Sequence, residues 1–232
     1  MSIIDNILSE AKALSEQEFR FKETSDFNEA SQLGEGLEGL VTKATVLHIR
    51  IKGLFMVTKS SGKRASATIY KLFELAVKHF ADETKGIFTT YTSDSFLIVY
   101  PESIKAIGTH IDNAFKLSYV LKTLVAKTPT LKSCDFAIGV DHGKILVTRN
   151  TCGLQWYGTC IHKAEAIGEL CFKPTYVGIS GVIYSELDED HTTTTRHILG
   201  IPKKENIWQK GSYQFEGEHK HFYSTRHNIE ME

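Results

Sequence analysis

The chain has 232 residues, 41% of them hydrophobic and 24% charged, the balance of a globular protein of one large domain or one domain with an appendage. Lys+Arg 27 against Asp+Glu 28 leaves a net charge of −1, too even to hold a polyanion, which argues against duplex DNA or RNA as the main partner. No run of about 18 apolar residues occurs and no signal-peptide pattern opens the chain, so no membrane association and a cytoplasmic location are expected.

Residues 2–14 set Ile3, Ile4, Ile7, Leu8, Ala11 and Leu14 at helical spacing, one apolar stripe that needs a partner subunit or the domain body to cover it. Ser15-Glu16-Gln17-Glu18 has the form of a capping box, where a further turn or a kink starts. Residues 24–40, rich in polar side chains and glycine, are expected to be an irregular arm, giving a division into 1–40 and 41–232.

From there the pattern becomes regular. A strand is expected over 44–51, with Val46, His48 and Arg50 on one face and Leu47, Ile49 and Ile51 on the other. A loop through Lys59–Arg64 precedes a helix over about 65–80. GIFTTYT and SFLIVY, joined at Ser93-Asp94, form a hairpin. A helix over about 103–126 follows, then a strand, DFAIGVDHGKILVT, interrupted by a turn or bulge at His142-Gly143. A helix over 161–171, the strand TYVGIS, a helix from Gly181 and an extended Thr-rich tail complete the chain. The order gives an α+β fold with helices packed on one sheet, compatible with a ferredoxin-like β-α-β-β-α-β core followed by extra C-terminal strands and preceded by the amphipathic helix.

Cys134, Cys152, Cys160 and Cys171 show no C-x-x-C spacing and are expected to be reduced thiols. His219, His221 and His227 fall on one face of the tail but match no fixed zinc motif, so buried or half-buried thiols and scattered imidazoles are the expectation. Trp156 and Tyr157 are core aromatics or base-stacking groups.

Arg50-Ile51-Lys52-Gly53 at a strand end, a helix, a hairpin with Ser93-Asp94 at its tip, IGVDHGKILVT, LQWYGTCIHKAEAIGEL and PTYVGISGVIYSEL together resemble the class III nucleotide cyclase domain. The phrases GEGLEG, GVDHGKILVTR and LQWYG are most similar to the pyrimidine nucleotide cyclases of the bacterial Pycsar antiphage system. The resemblance covers roughly residues 34–187. It implies conversion of a nucleoside triphosphate to a 3′,5′-cyclic nucleotide and pyrophosphate at a homodimer interface. Two aspartates would hold Mg or Mn ions, an Asn and an Arg would come from the partner, and the product would activate a separate effector.

Carried over residue by residue, the second metal aspartate is Asp94 and the first is Arg50. The catalytic Asn position holds His162 and the Arg or Lys position holds Ala166. Thr90 and Thr159 fall at the base-contacting positions, and Ile51, Lys52, Gly53 and Leu54 at the nucleotide-binding turn. A guanidinium has donors and no acceptor and cannot ligate a metal. Arg50 is therefore expected to pair with Asp94 and stand in place of a metal ion, leaving a degenerate cyclase that still holds a triphosphate. Two alternatives stay open: an active uridylate or cytidylate cyclase with a rebuilt site using His48 and Asp94, and a non-catalytic interaction module assembled through the first helix. Taken singly, Arg50 could also be an ordinary strand residue, and Asp94 and Asp141-His142-Gly143 ordinary turn residues.

Overall fold

A computed structural model describes residues 3–16, 20–24, 27–34, 38–101, 106–151, 153–171, 176–198 and 201–225. At its centre lies β2 (Glu38–Lys52), whose odd-numbered Leu47, Ile49 and Ile51 point to one face of a sheet and even-numbered Ala44, Val46, His48 and Arg50 to the other. β2 pairs antiparallel with β5 (Asp135–Asn150) along nearly its whole length and with β4 (Ser95–Tyr100) over its second half. β1 (Arg20–Glu23) runs parallel to its first residues. β3 (Ile87–Thr92) closes the hairpin with β4, β6 (Gly153–Tyr157) folds back on β5, and β7 (Val177–Ser180) pairs parallel with β5. The sheet order is β10 (Trp208–Phe215), β11 (Glu218–Thr225), β7, β5, β2, β4, β3, and β8 (Thr193–Ile198) with β9 (Ile201–Asn206) forms a separate ribbon.

On one face lie α2 (Leu54–Glu83), α3 (Ile107–Lys127) and the short α5 (Gly181–Glu186). Phe73 and Val77 of α2, Ile111 and Leu117 of α3 and Ile183 of α5 meet Leu47, Ile49, Phe96, Ile98 and Phe136 in the larger core. On the other face α4 (Thr159–Leu170) places Cys160, Ile161 and Ala164 on Ala44, Val46, Leu97 and Ile145. The series β2-α2-β3-β4-α3-β5, with β5-β2-β4-β3 side by side, is the expected ferredoxin-like core, and β8 to β11 with α6 (Glu189–Thr192) are the expected C-terminal additions.

α4 sits close because Gly139 of β5 has no side chain. A Cβ there would lie 1.9 Å from the Ala164 carbonyl oxygen and 2.6 Å from the Gly168 nitrogen. Helix backbone rests directly on strand backbone, which few other residues permit.

Several local expectations need correction. Residues 59–64 are not a loop: α2 runs through them, and only Gly62, at φ 83 and ψ 170, leaves helical geometry. The neighbouring Ser and Lys residues are tolerable helix formers, so the break stays one residue wide, at the residue type that reaches such angles without strain. Nor does β5 turn at His142-Gly143. β2 begins at Glu38 rather than Ala44 and gives β5 a partner throughout, Val46 opposite Asp141, Thr45 opposite His142 and Ala44 opposite Gly143. Asp141 and His142 are buried, and Thr45 Oγ1 lies 3.0 Å from His142 Nδ1. The stretch 24–40 contains a 3₁₀ turn over Phe27–Gln32 that buries Ala30 completely and the first residues of β2, and β1 lies just before it.

α1 (Ile3–Ser15) leaves Ile3, Ile4, Ile7 and Leu8 exposed in the single chain. The capping-box residues 17 and 18, Cys152 and His227 lie outside the described residues. Cys134, Cys160 and Cys171 are buried free thiols, and among the described residues no three metal-ligating side chains cluster. No described helix is long and apolar enough to cross a membrane.

Gly139→Ala is expected to cost about 3 kcal/mol, a fall in Tm of roughly 6–12 °C. Gly34→Ala, where an added Cβ meets nothing within 4 Å, should leave Tm nearly unchanged in the same thermal scan. Equal melting of the two variants would show that α4 is not seated on Gly139.

Candidate nucleotide site

β2 delivers Arg50 and Lys52 to the α4 face and then turns through Gly53, at φ 86, into α2. The β3–β4 turn comes back beside them. Ile51 N donates to the Asp94 carbonyl oxygen at 2.8 Å, and Thr92 Oγ1 donates to Asp94 Oδ1 at 2.8 Å. Ile51 is thus engaged through its backbone, while its side chain is buried in the larger core. With the turn pinned this way, Asp94 Oδ2 lies 3.3 Å from Arg50 Nη2.

A second carboxylate completes the group. Glu169, near the end of α4, makes an ion pair through Oε1 with Arg50 Nη1, and its Oε2 lies 3.7 Å from Lys52 Nζ. Lys52 Nζ also donates to the Glu169 carbonyl oxygen at 3.1 Å. Burial, and then the neighbouring guanidinium, push the Lys52 ammonium below its ordinary pKa. Two cations and two carboxylates therefore share one strand end, and Asp135, opposite Lys52 on β5, adds a third negative charge that acts on the ammonium. Sequence reasoning missed Glu169. It is seven residues beyond His162, about two helical turns, but only the crossing of α4 over β2 brings it to Arg50.

The metal that the resemblance implies does not fit these residues. Asp94 is a single carboxylate already engaged by a guanidinium, and among the described residues no cluster of three ligating groups exists. A divalent ion about 4 Å from Arg50 would meet a repulsion of about 2 kcal/mol at the dielectric of water and about 8 kcal/mol at an effective dielectric of 20.

His48, one strand pair deeper on the same face, is fully buried, and neither ring nitrogen has a hydrogen-bond partner among the described residues. Its register partner is Gly139, a Cβ at Gly168 would approach its Nδ1 to 3.7 Å, and the Tyr91 ring stands edge-on at 5.6 Å. Burial first, and then the Arg50 charge, lower its pKa to about 4. It is enclosed too completely to reach a shared metal position.

The remaining candidates spread outward from this centre. His162 is exposed on α4, with Nδ1 3.5 Å from the Tyr91 hydroxyl and 3.8 Å from Glu165 Oε2. Thr90 is paired with Phe96, whose ring belongs to the larger core on the opposite face. Tyr91, the next residue, alternates to the other face, toward His48 and the smaller core, and the bulge that follows shifts Thr92 opposite Ser95. Thr159 is the exposed first residue of α4, and Leu54 begins α2 with its carbonyl accepting from Thr58 Oγ1 at 3.0 Å. Trp156 is buried and Tyr157 exposed.

No family model matches the sequence, and no curated protein matches it. Solved structures do match the fold. The guanylyl cyclase Cya2 superposes with a TM-score of 0.64 at 10% identity, covering 80% of this chain and 92% of that one. The adenylyl cyclase CyaB from P. aeruginosa gives 0.63 at 14% identity, covering 82% and 96%. A class III adenylyl cyclase-like ATP-binding protein from Pseudomonas aeruginosa gives 0.62 at 15% identity, covering 79% of this chain and 44% of that one. The chain has the fold of the class III nucleotide cyclases.

The enclosed imidazole carries a pH signature. Between its unfolded value of 6.5 and its folded value of about 4, the unfolded chain takes up a proton that the folded chain refuses. Stability is unaffected above that window and falls by about 3 kcal/mol as pH drops through it. Urea unfolding at a series of pH values should show a correspondingly flatter profile for His48→Leu than for wild type.

Proposed function

We propose that this protein is a nucleotide-binding relative of the Pycsar-type cyclases with a closed metal site and weak or no cyclase activity. One observation carries the reading: a guanidinium, paired with Asp94 and Glu169, occupies the strand end where a catalytic metal would need a carboxylate. Loss of metal activation removes several kcal/mol of transition-state stabilisation from attack by the 3′-hydroxyl. His162 in place of the family Asn and Ala166 in place of its Arg or Lys remove further transition-state contacts on the same reading. On this reading the turn Ile51–Leu54 is the phosphate-side loop and Thr159 a base-selecting residue, while Thr90, paired with Phe96 on the opposite face, does not join it. That a solved protein of this fold is described as cyclase-like and ATP-binding supports binding without a required turnover.

In this reading the domain is residues 41–232, with 1–40 as helix and arm, and it works in the cytoplasm as a homodimer. The exposed stripe of α1 is compatible with assembly. Its role is regulatory within antiphage cyclic-nucleotide signalling, upstream of a cyclic-nucleotide effector and beside a catalytically complete cyclase.

Incubation with ATP, GTP, CTP and UTP, each with Mg or Mn, is expected to yield no cyclic nucleotide by mass spectrometry, while a triphosphate raises Tm. Cyclic product from the wild type that disappears in Asp94→Ala would overturn the closed-site reading. Product appearing only in Arg50→Asp would identify the arginine as the group that closed the site.

A further inference from the structure

The closed site has a second property, which rests on the nucleotide-binding reading above. Arg50 and Lys52 project from alternate positions of one strand, and a single carboxylate lies between them. Glu169 meets Arg50 through one oxygen and stands 3.7 Å from Lys52 Nζ through the other. A phosphoryl group offers the same chemistry: anionic oxygens on one centre, matched to a guanidinium and an ammonium. Glu169 is intermediate in exposure, with 41% of its side chain accessible, so it can leave this position without unpacking the core. Lys52 keeps its bond to the Glu169 main chain whether or not the carboxylate moves. Asp94, tied to Thr92 and through its backbone to Ile51, would remain to hold the guanidinium in place.

We propose that Arg50 and Lys52 form a metal-independent clamp for the phosphates of a nucleoside triphosphate, and that Glu169 occupies the clamp as an internal competitor until nucleotide displaces it. The arginine then does more than exclude a metal: it takes over the metal's charge-neutralising role in binding, without activating any hydroxyl. Two consequences separate this clamp from a metal-bridged site. Chelation of divalent ions leaves binding intact, because no ion bridges ligand and protein. Removal of the Glu169 charge tightens binding, because the competitor is gone.

The test is calorimetric titration of the full-length protein with each of the four nucleoside triphosphates and with inorganic tripolyphosphate, in EDTA and in excess magnesium. Wild type is expected to bind in EDTA at least as tightly as in magnesium. Glu169→Gln should bind about tenfold tighter and Arg50→Gln at least about tenfold weaker. Glu169→Asp, which keeps the charge but shortens the reach, checks that any gain comes from charge rather than from a loosened fold, and thermal melting confirms that each variant is folded. Binding in magnesium but not in EDTA would overturn the clamp and leave the nucleotide-binding reading standing. Unchanged or weaker binding by a folded Glu169→Gln would overturn the competitor role. No binding of any triphosphate in either buffer would overturn the nucleotide-binding reading itself, and the clamp with it.

Discussion

Backbone contact between α4 and β5 at Gly139 governs the arrangement of everything on that face of the sheet. An ordinary side chain there would overlap the Ala164 carbonyl, so the helix would have to lift or tilt away. Seated as it is, α4 closes over His48, buries Cys160, Ile161 and Ala164 against the sheet, and carries Glu169 to the end of β2. The two glycines facing each other, Gly139 and Gly168, remove the bulk that would otherwise hold helix and strand apart. The position of a surface charge is therefore set by the absence of side chains in the interior.

The charge arrangement at the strand end follows from that seating. Arg50 alone beside Asp94 would be a single partly exposed pair, of the kind that contributes little. With Glu169 and Lys52 added, the guanidinium is held from two sides and the cluster becomes a network anchored to three elements, the end of β2, the β3–β4 turn and α4. Network membership is what gives the arginine a defined position. His48, two residues earlier on the same face, is shifted mainly by its burial, with the Arg50 charge lowering and the Asp94 charge raising its pKa.

Much of the architecture was legible in the chain because it depends on local periodicity. Alternating faces of β2, the hairpin at Ser93-Asp94 and the apolar stripes of α2 and α3 all follow from spacings of two or of three and four. The errors arose where a local signal was overridden by a long partner. Asp141-His142-Gly143 has turn composition, yet β2 offers it a continuous antiparallel neighbour and the backbone bonds outweigh the local preference. Gly62 and the serines around it have loop composition, yet the exposed flanking residues are adequate helix formers and only Gly62 leaves helical geometry. At the site, the mismatch of Arg50 with a metal ligand was visible from the residue type alone, whereas Glu169 was not, because its importance lies in which strand its helix crosses.

By itself the sequence determined the alternation that puts Arg50 and Lys52 on one face, the glycines that allow close approach, and the chemical fact that a guanidinium cannot bind a cation. Only the tertiary structure decided what the guanidinium meets instead and that His48 is enclosed beneath α4. The reason is that residue chemistry and periodicity are local properties. The meeting of positions 50, 94 and 169 depends on strand register, a bulge and the height of one helix above a sheet, and those are settled by the packing of the whole domain.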